Sequence, residues 1–285
     1  VKLVSRLVVS SRPISWINTA FPFAVAYFLS TGNIDITLII GAFFFLIPYN
    51  LLMYGVNDVF DYESDLTNPR KGGLEGALLE PKYHAATLWI STSLAAPFVI
   101  YLLVVGSLFS GALLLFVIFA VVAYSAKHLR FKEIPVLDSF TSALHFIGPM
   151  LFGLALAGTS LVGEVVVMAT IAFFLWGMAS HAFGAVQDIR ADKDANIASI
   201  ATFFGAGLTV KLAFGAYLLA ALMLLGFPGR FQFAAIAALP YLFVTAREFG
   251  ITDETCETAN RGWKRFIWLN FFAGAIISSL LIGPS

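Results

Sequence analysis

The chain alternates between apolar stretches of about 20 residues, long enough to cross the roughly 30 Å hydrocarbon layer of a bilayer as helices, and polar connections. Nine such stretches are predicted, at 14–30, 36–57, 86–106, 108–126, 137–157, 164–187, 208–227, 231–247 and 265–283. Basic residues gather in every second connection. Lys2, Arg6 and Arg12 precede the first stretch, and Arg70, Lys71 and Lys82 follow the second. Lys127, Arg130 and Lys132 follow the fourth, Arg190, Lys193 and Lys211 the sixth, and Arg247, Arg261, Lys264 and Arg265 the eighth. Of the 17 Lys and Arg, only Arg230 lies on the other side. The positive-inside rule then predicts a cytoplasmic N-terminus and an outer C-terminus. Eight or ten spans would scramble that asymmetry.

All but Asp35 and Glu164 of the 17 acidic residues share the basic side, so the chemistry is expected at the cytoplasmic face. The outer connections "STGNID", "GTSLVG" and "GFPGR" are short. The inner ones, 58–85, 127–136, 188–207 and 248–264, are longer, and long connections are where function concentrates.

Composition agrees with the pattern. The 285 residues are 59% hydrophobic and 12% charged, with a mean hydropathy of +0.87, against roughly 25% charged in soluble domains. An all-α integral membrane protein with one domain over 1–285 is expected, with the lipid bilayer as its surroundings. A net charge of zero gives no electrostatic reason for a nucleic-acid partner. The lone Cys256 builds neither a disulfide framework nor a cysteine metal cluster. The N-terminus runs directly into a full-length apolar stretch, so no cleavable leader is expected.

The candidate chemistry lies in two acidic clusters. If the second span stays helical beyond Asn57 in "MYGVNDVFDYESD", then Asn57, Asp61 and Asp65 follow at i, i+4, i+8 within an arc of about 80°, with Asp58 beside Asp61. In "QDIRADKDA", Asp188 and Asp192 also stand at i, i+4. Like charges at this spacing repel, so a positive partner is required. Mg²⁺, commonly held by one or two carboxylates together with substrate phosphates, suits Asp58, Asp61, Asp65, Asp188 and Asp192. Two facing clusters could hold two ions and one diphosphate. Solvated loop acids paired with local Arg and Lys are the plainer alternative.

"NDVFDYESD" and "DIRADKD" resemble the two aspartate-rich signatures of the UbiA superfamily of intramembrane prenyltransferases. That resemblance implies nine transmembrane helices around a central cavity and an allylic diphosphate donor bound through Mg²⁺, with two ions expected. The family's N-x-x-x-D-x-x-x-D pattern falls on Asn57, Asp61 and Asp65, followed by a basic residue at Arg70; Asp188 and Asp192 take the second signature. In "YSAKHLRFKEIPVLD", Tyr124, Lys127, Arg130 and Lys132 match a tyrosine followed by basic residues. The usual Y-x-x-x-K spacing is not kept: Lys127 comes one place early, and His128 takes its position. Asn196 stands where family members often have glycine. The longer blocks "SSRPISWINTAFPFAVAYFL", "FLWGMASHAFGAVQDIRADKDANIASIATFFGA" and "CETANRGWKRFIWLNFFAGA" look like those of actinobacterial lycopene elongases, which implies dimethylallyl diphosphate as donor and lycopene or a related carotenoid as acceptor.

On this reading Asn57, Asp61, Asp65, Asp188, Asp192 and Tyr124 form the catalytic set, and Arg70, Lys127, Arg130 and Lys132 bind diphosphate. Polar residues inside spans are expensive and tend to face a cavity, which nominates Asn18, Asn50, Tyr54 and His181 for the acceptor side. Thr141 and His145 read better as interhelical hydrogen-bonding residues. Gly72, Gly73 and Gly76 beside Arg70 suggest a lid. An aromatic quinone precursor as acceptor and a cation transporter are the competing readings.

Overall fold

The computed structural model describes residues 2–66 and 78–282. Among these, every regular element is helical. Eight helical stretches are long and apolar enough to cross a membrane: Ile36–Phe60, Pro81–Val105, Leu108–Ser125, Leu137–Leu156, Glu164–Val186, Ala206–Leu225, Gly229–Ala246 and Asp253–Ile282. The stretch expected at 14–30 forms the helix Ile17–Thr31, whose 15 residues cover about 22 Å at 1.5 Å each, less than the hydrocarbon thickness. A 3-10 turn, Pro13–Ser15, leads into it. Trp89, Ile100, Val104, Leu108, Phe116 and Trp268 are exposed, as expected of a multi-pass membrane protein whose solvent is hydrocarbon.

The chain divides into two compact units, Val1–Phe131 with Leu144–Leu161, and Lys132–Ala143 with Val162–Ser285. In the first unit the second span is interrupted, giving helices Ile36–Leu46 and Pro48–Phe60. Pro48 has no N–H to continue the ladder, and in a bilayer freed carbonyls must find partners within the protein. Thr19 Oγ1 donates to the Phe45 carbonyl at 2.7 Å, and Asn50 Nδ2 donates to the carbonyls of Phe45 at 2.8 Å and Leu46 at 3.1 Å. Around this break Phe23, Phe44, Phe45, Tyr49 and Phe152 form a fully buried aromatic core, with edge-on pairs such as Phe44–Phe45 at 4.8 Å between centroids. A Cβ at Gly41 would overlap the Phe23 ring, so glycine is what lets this ring seat. His145 Nε2 lies 3.4 Å from the Ala120 carbonyl, the interhelical role expected of it.

The second unit packs Glu164–Val186, Ala206–Leu225 and Asn260–Ile282 with a 3-10 segment, Gly229–Ala238, that runs into the helix Leu239–Ala246. Phe183, Tyr217, Tyr241 and Phe266 form its core. Their polar ends are satisfied: Tyr217 Oη lies 3.0 Å from Ser180 Oγ, and Tyr241 Oη donates to Asn270 Oδ1 at 2.9 Å. Buried Ala234, Ala235, Ala237 and Ala238 allow the tight 3-10 segment to approach its neighbours closely.

Candidate active site

Helix Pro48–Phe60 passes through Asp61 into a further turn, Tyr62–Asp65. The Asp61 amide donates to the Asn57 carbonyl at 2.9 Å and the Asp65 amide to the Asp61 carbonyl at 2.8 Å. The helical register therefore continues, and Asn57, Asp61 and Asp65 share one stripe. Asp61 is only 5% exposed and Asp65 6%, and a buried carboxylate demands compensation. For Asp61 it comes from two sides: Asn57 Nδ2 donates to Oδ2 at 2.5 Å, and Arg130 Nη2 stands 3.6 Å from Oδ1. Asn57 Nδ2 also donates to Ser125 Oγ at 2.9 Å, and Arg130 Nη1 to the Phe60 carbonyl at 3.3 Å.

The carboxylate of Asp58, expected among the metal ligands, accepts from Ser10 Oγ at 2.5 Å and pairs with Arg12 Nη2 at 3.3 Å, both in the N-terminal segment. The helix Lys2–Ser10 is thereby tied to Pro48–Phe60. Burial pushes the Arg12 pKa down, but the charge of Asp58, with Tyr54 and Asp65, pushes it up by more, and the guanidinium ends above its ordinary value. Two residues expected on the acceptor side have partners in the same region. Tyr54 is the platform for this guanidinium, whose carbon lies 4.1 Å from the ring centroid. Asn50 is fully buried, and its Nδ2 serves the Pro48 break and Thr19 Oγ1, 2.7 Å away, so it supports the helix interruption. Asn18 is half-buried at the start of Ile17–Thr31.

Tyr124 and Ser125 end the helix Leu108–Ser125. The Tyr124 ring meets His145 edge-on at 5.1 Å. Of the basic residues that follow, Lys127 is exposed and Lys132 half-buried, whereas Arg130 reaches Asp61. Arg12 and Arg130, both at the first cluster, also share left-handed backbone, with φ of 50° and 42°. That conformation costs an L-residue roughly 1–2 kcal/mol and clusters at functional sites. Arg70, Gly72, Gly73 and Gly76 lie outside the described residues.

In the second unit the Asp192 amide donates to the Asp188 carbonyl at 2.8 Å, so these two also share a helical face. Both are half-buried, on or beside the short helix Ile189–Asp194. Ser199 Oγ donates to Asp192 Oδ2 at 3.2 Å. Lys193 Nζ pairs with Asp253 Oδ2 at 2.7 Å, and Asp253 Oδ1 accepts from the Ala206 amide at 2.7 Å. Asn196 has φ of 54°, which explains the departure from glycine: asparagine is the side chain that best tolerates left-handed backbone. His181 Nδ1 lies 3.0 Å from Ser139 Oγ. The neighbouring Asp138, fully buried, accepts from the Ser139 amide at 2.6 Å and the Ile200 amide at 2.7 Å.

Sequence reasoning missed Ser10, Ser125, Asp138 and Ser199, and it read Arg12 only as a topological charge. Among the described residues no group of three or more His, Cys, Asp or Glu converges on a metal position. Each cluster instead offers a pair of carboxylates at helical spacing. Such a donor set fits Mg²⁺ held jointly by protein and substrate phosphates, and does not fit a self-sufficient protein cage.

The UbiA prenyltransferase family matches residues 19–272. A Corynebacterium glutamicum protein named lycopene elongase/hydratase is 51% identical over 276 residues, covering 97% of this chain and 96% of that protein. A Dietzia sp. protein named C(50) beta-cyclic carotenoids biosynthesis protein LbtBC is 52% identical over 281 residues, 98% of this chain; the chain spans 65% of that relative's length. Two solved structures share the fold at 18% identity. An apo UbiA homolog from Aeropyrum pernix K1 aligns at a TM-score of 0.71 over 94% of this chain and 98% of that one. One from Archaeoglobus fulgidus, bound to GPP and Mg²⁺, aligns at 0.69 over 95% and 99%.

Proposed function

The chain belongs to the UbiA prenyltransferase family, and on that premise we propose that it transfers a five-carbon dimethylallyl unit from its diphosphate to the ends of lycopene. The observation that carries the chemistry is the buried stripe of Asn57, Asp61 and Asp65, with Arg130 at its edge. The acceptor is supported by the likeness, over nearly the whole of both chains, to the protein named lycopene elongase/hydratase.

In the reaction, the bond between the allylic carbon and the diphosphate oxygen breaks, and both electrons leave with the diphosphate. A terminal double bond of lycopene supplies the pair for the new carbon–carbon bond, which moves the positive charge to a tertiary carbon. Water adds there and loses a proton, leaving a hydroxyl; the word hydratase in the relative's name supports this ending. Separating a leaving anion from a carbocation in an apolar chamber is the costly step.

Mg²⁺ would be held by Asp61 and Asp65 in the first unit and by Asp188 and Asp192 in the second, and would supply positive charge to a departing diphosphate. The chain's own cations do the rest. Arg130, now paired with Asp61, turns its guanidinium to the diphosphate, because a planar fork matches phosphate oxygens. Lys127, Lys132 and Arg70 add positive charge, and Tyr124 adds a hydroxyl. His181, oriented by Ser139, accepts the proton that the incoming water releases. The site faces the cytoplasm, on the strength of the charge asymmetry.

Expression in a lycopene-accumulating host tests this reading. The expected products are heavier than lycopene by one or two units, each a five-carbon group plus water. Unchanged lycopene together with a prenylated aromatic compound would replace the acceptor with a quinone precursor. The transporter reading has no support from the family match.

A further inference from the structure

We infer that Arg12, which lies before the segment matched by the family, is a positioning residue that fixes the amide of Asn57 so that its nitrogen faces Asp61. This inference rests on the proposed function. Both ends of a primary amide have nearly the same shape, and only their hydrogen-bond partners choose which way it points. Asn57 Nδ2 donates to the Asp61 carboxylate at 2.5 Å and to Ser125 Oγ at 2.9 Å, while Oδ1 accepts from Arg12 Nη2 at 3.4 Å. Reversing the amide would set its oxygen against the Asp61 carboxylate and its NH₂ against a guanidinium. Both contacts would be repulsive.

Arg12 can enforce this because it is itself held from several directions. Nη2 is shared with Asp58 Oδ1 at 3.3 Å, and Ser10 Oγ fixes the other oxygen of Asp58. The guanidinium carbon lies over the Tyr54 ring, 4.1 Å from its centroid. Its backbone, at φ of 50°, leads directly into the 3-10 turn Pro13–Ser15. The order of action therefore runs from the N-terminal segment through Arg12 and Asn57 to Asp61. Residues that orient a metal-binding side chain in this way typically change metal affinity by about 10–100-fold.

The test is a binding titration on the full chain in lipid nanodiscs. Mn²⁺ is the probe, dimethylallyl diphosphate is present, and loss of the free-ion electron paramagnetic resonance signal is the readout. Wild type is compared with Arg12→Lys, Asn57→Ala and the double variant. Arg12→Lys keeps a charge beside Asp58 but cannot hold Asp58 and Asn57 together in the same planar geometry. Each single variant is expected to weaken binding about tenfold, with the double variant no weaker than Asn57→Ala, because one residue acts through the other. Wild-type affinity in Arg12→Lys, or losses that multiply in the double variant, would overturn the inference. Should Arg12→Lys fail to fold, Arg12→Gln combined with Asp58→Asn removes both buried charges at once. The same tenfold loss is expected from it, and wild-type affinity would again be fatal. Asp61→Ala separates the two levels. Intact Mn²⁺ binding there sinks the reading of the site and the positioning role with it, whereas weakened binding there with an unaffected Arg12→Lys sinks the positioning role alone.

Discussion

The two acidic clusters have the same i, i+4 spacing and different surroundings. Asp61 and Asp65 are buried at 5% and 6% exposure, and Asp61 is braced by Asn57 and Arg130. Asp188 and Asp192 are half-buried, at the N-cap and within the short helix Ile189–Asp194, with Ser199 donating to Asp192. The first pair is built into the packing of its unit, and the second sits on a short helical segment. Burial and bracing hold charge at a fixed place before substrate arrives, the condition for electrostatic preorganisation, and they also make the first cluster part of what keeps its unit folded.

This contrast can be broken experimentally. Asp61→Ala and Asp188→Ala should each reduce turnover by on the order of 10³-fold, measured as product per protein in membranes, but only Asp61→Ala should also lower the thermal unfolding temperature, because it leaves Arg130 without the carboxylate it braces. Equal stability of the two variants would erase the distinction. Asp58→Ala should destabilise by about 3–5 kcal/mol, the range for removing one member of a buried ion pair, as read by detergent-resistant unfolding. A change that leaves stability intact would show that the Ser10–Asp58–Arg12 tie is incidental. In the second cluster Asn196→Gly should be tolerated, whereas Asn196→Val should cost about 1–2 kcal/mol through its left-handed backbone. The smallest effect belongs to the pair of Lys193 with Asp253, whose side chains are 50% and 35% exposed: Asp253→Asn should cost under about 1 kcal/mol by the same unfolding readout.

The spans were legible because a run of about 20 apolar residues has few fates other than crossing a bilayer. The break at Pro48 was not, because it depends on Thr19 and Asn50 supplying partners for Phe45 and Leu46 from both near and far in the chain. The stripe of Asn57, Asp61 and Asp65 could be read from helical period alone. Asp58 could not be told apart from Asp61: a neighbouring aspartate on another face looks identical in a string of letters until Ser10 and Arg12 are seen against it. Arg12 reads as one more cytoplasmic charge, since nothing in its position signals that it is held against Tyr54 and Asn57. Asn196, a departure from the family pattern by residue type, keeps the backbone geometry that glycine would provide.

The most direct measurement is a structure of the full chain with Mg²⁺ and a non-reactive dimethylallyl diphosphate analogue. The account predicts metal density on the carboxylates of Asp61 and Asp65 with the diphosphate beside it, and Arg130 moved from Asp61 onto a phosphate oxygen. Diphosphate bound elsewhere, with Arg130 still on Asp61 and no metal at either pair, would contradict it.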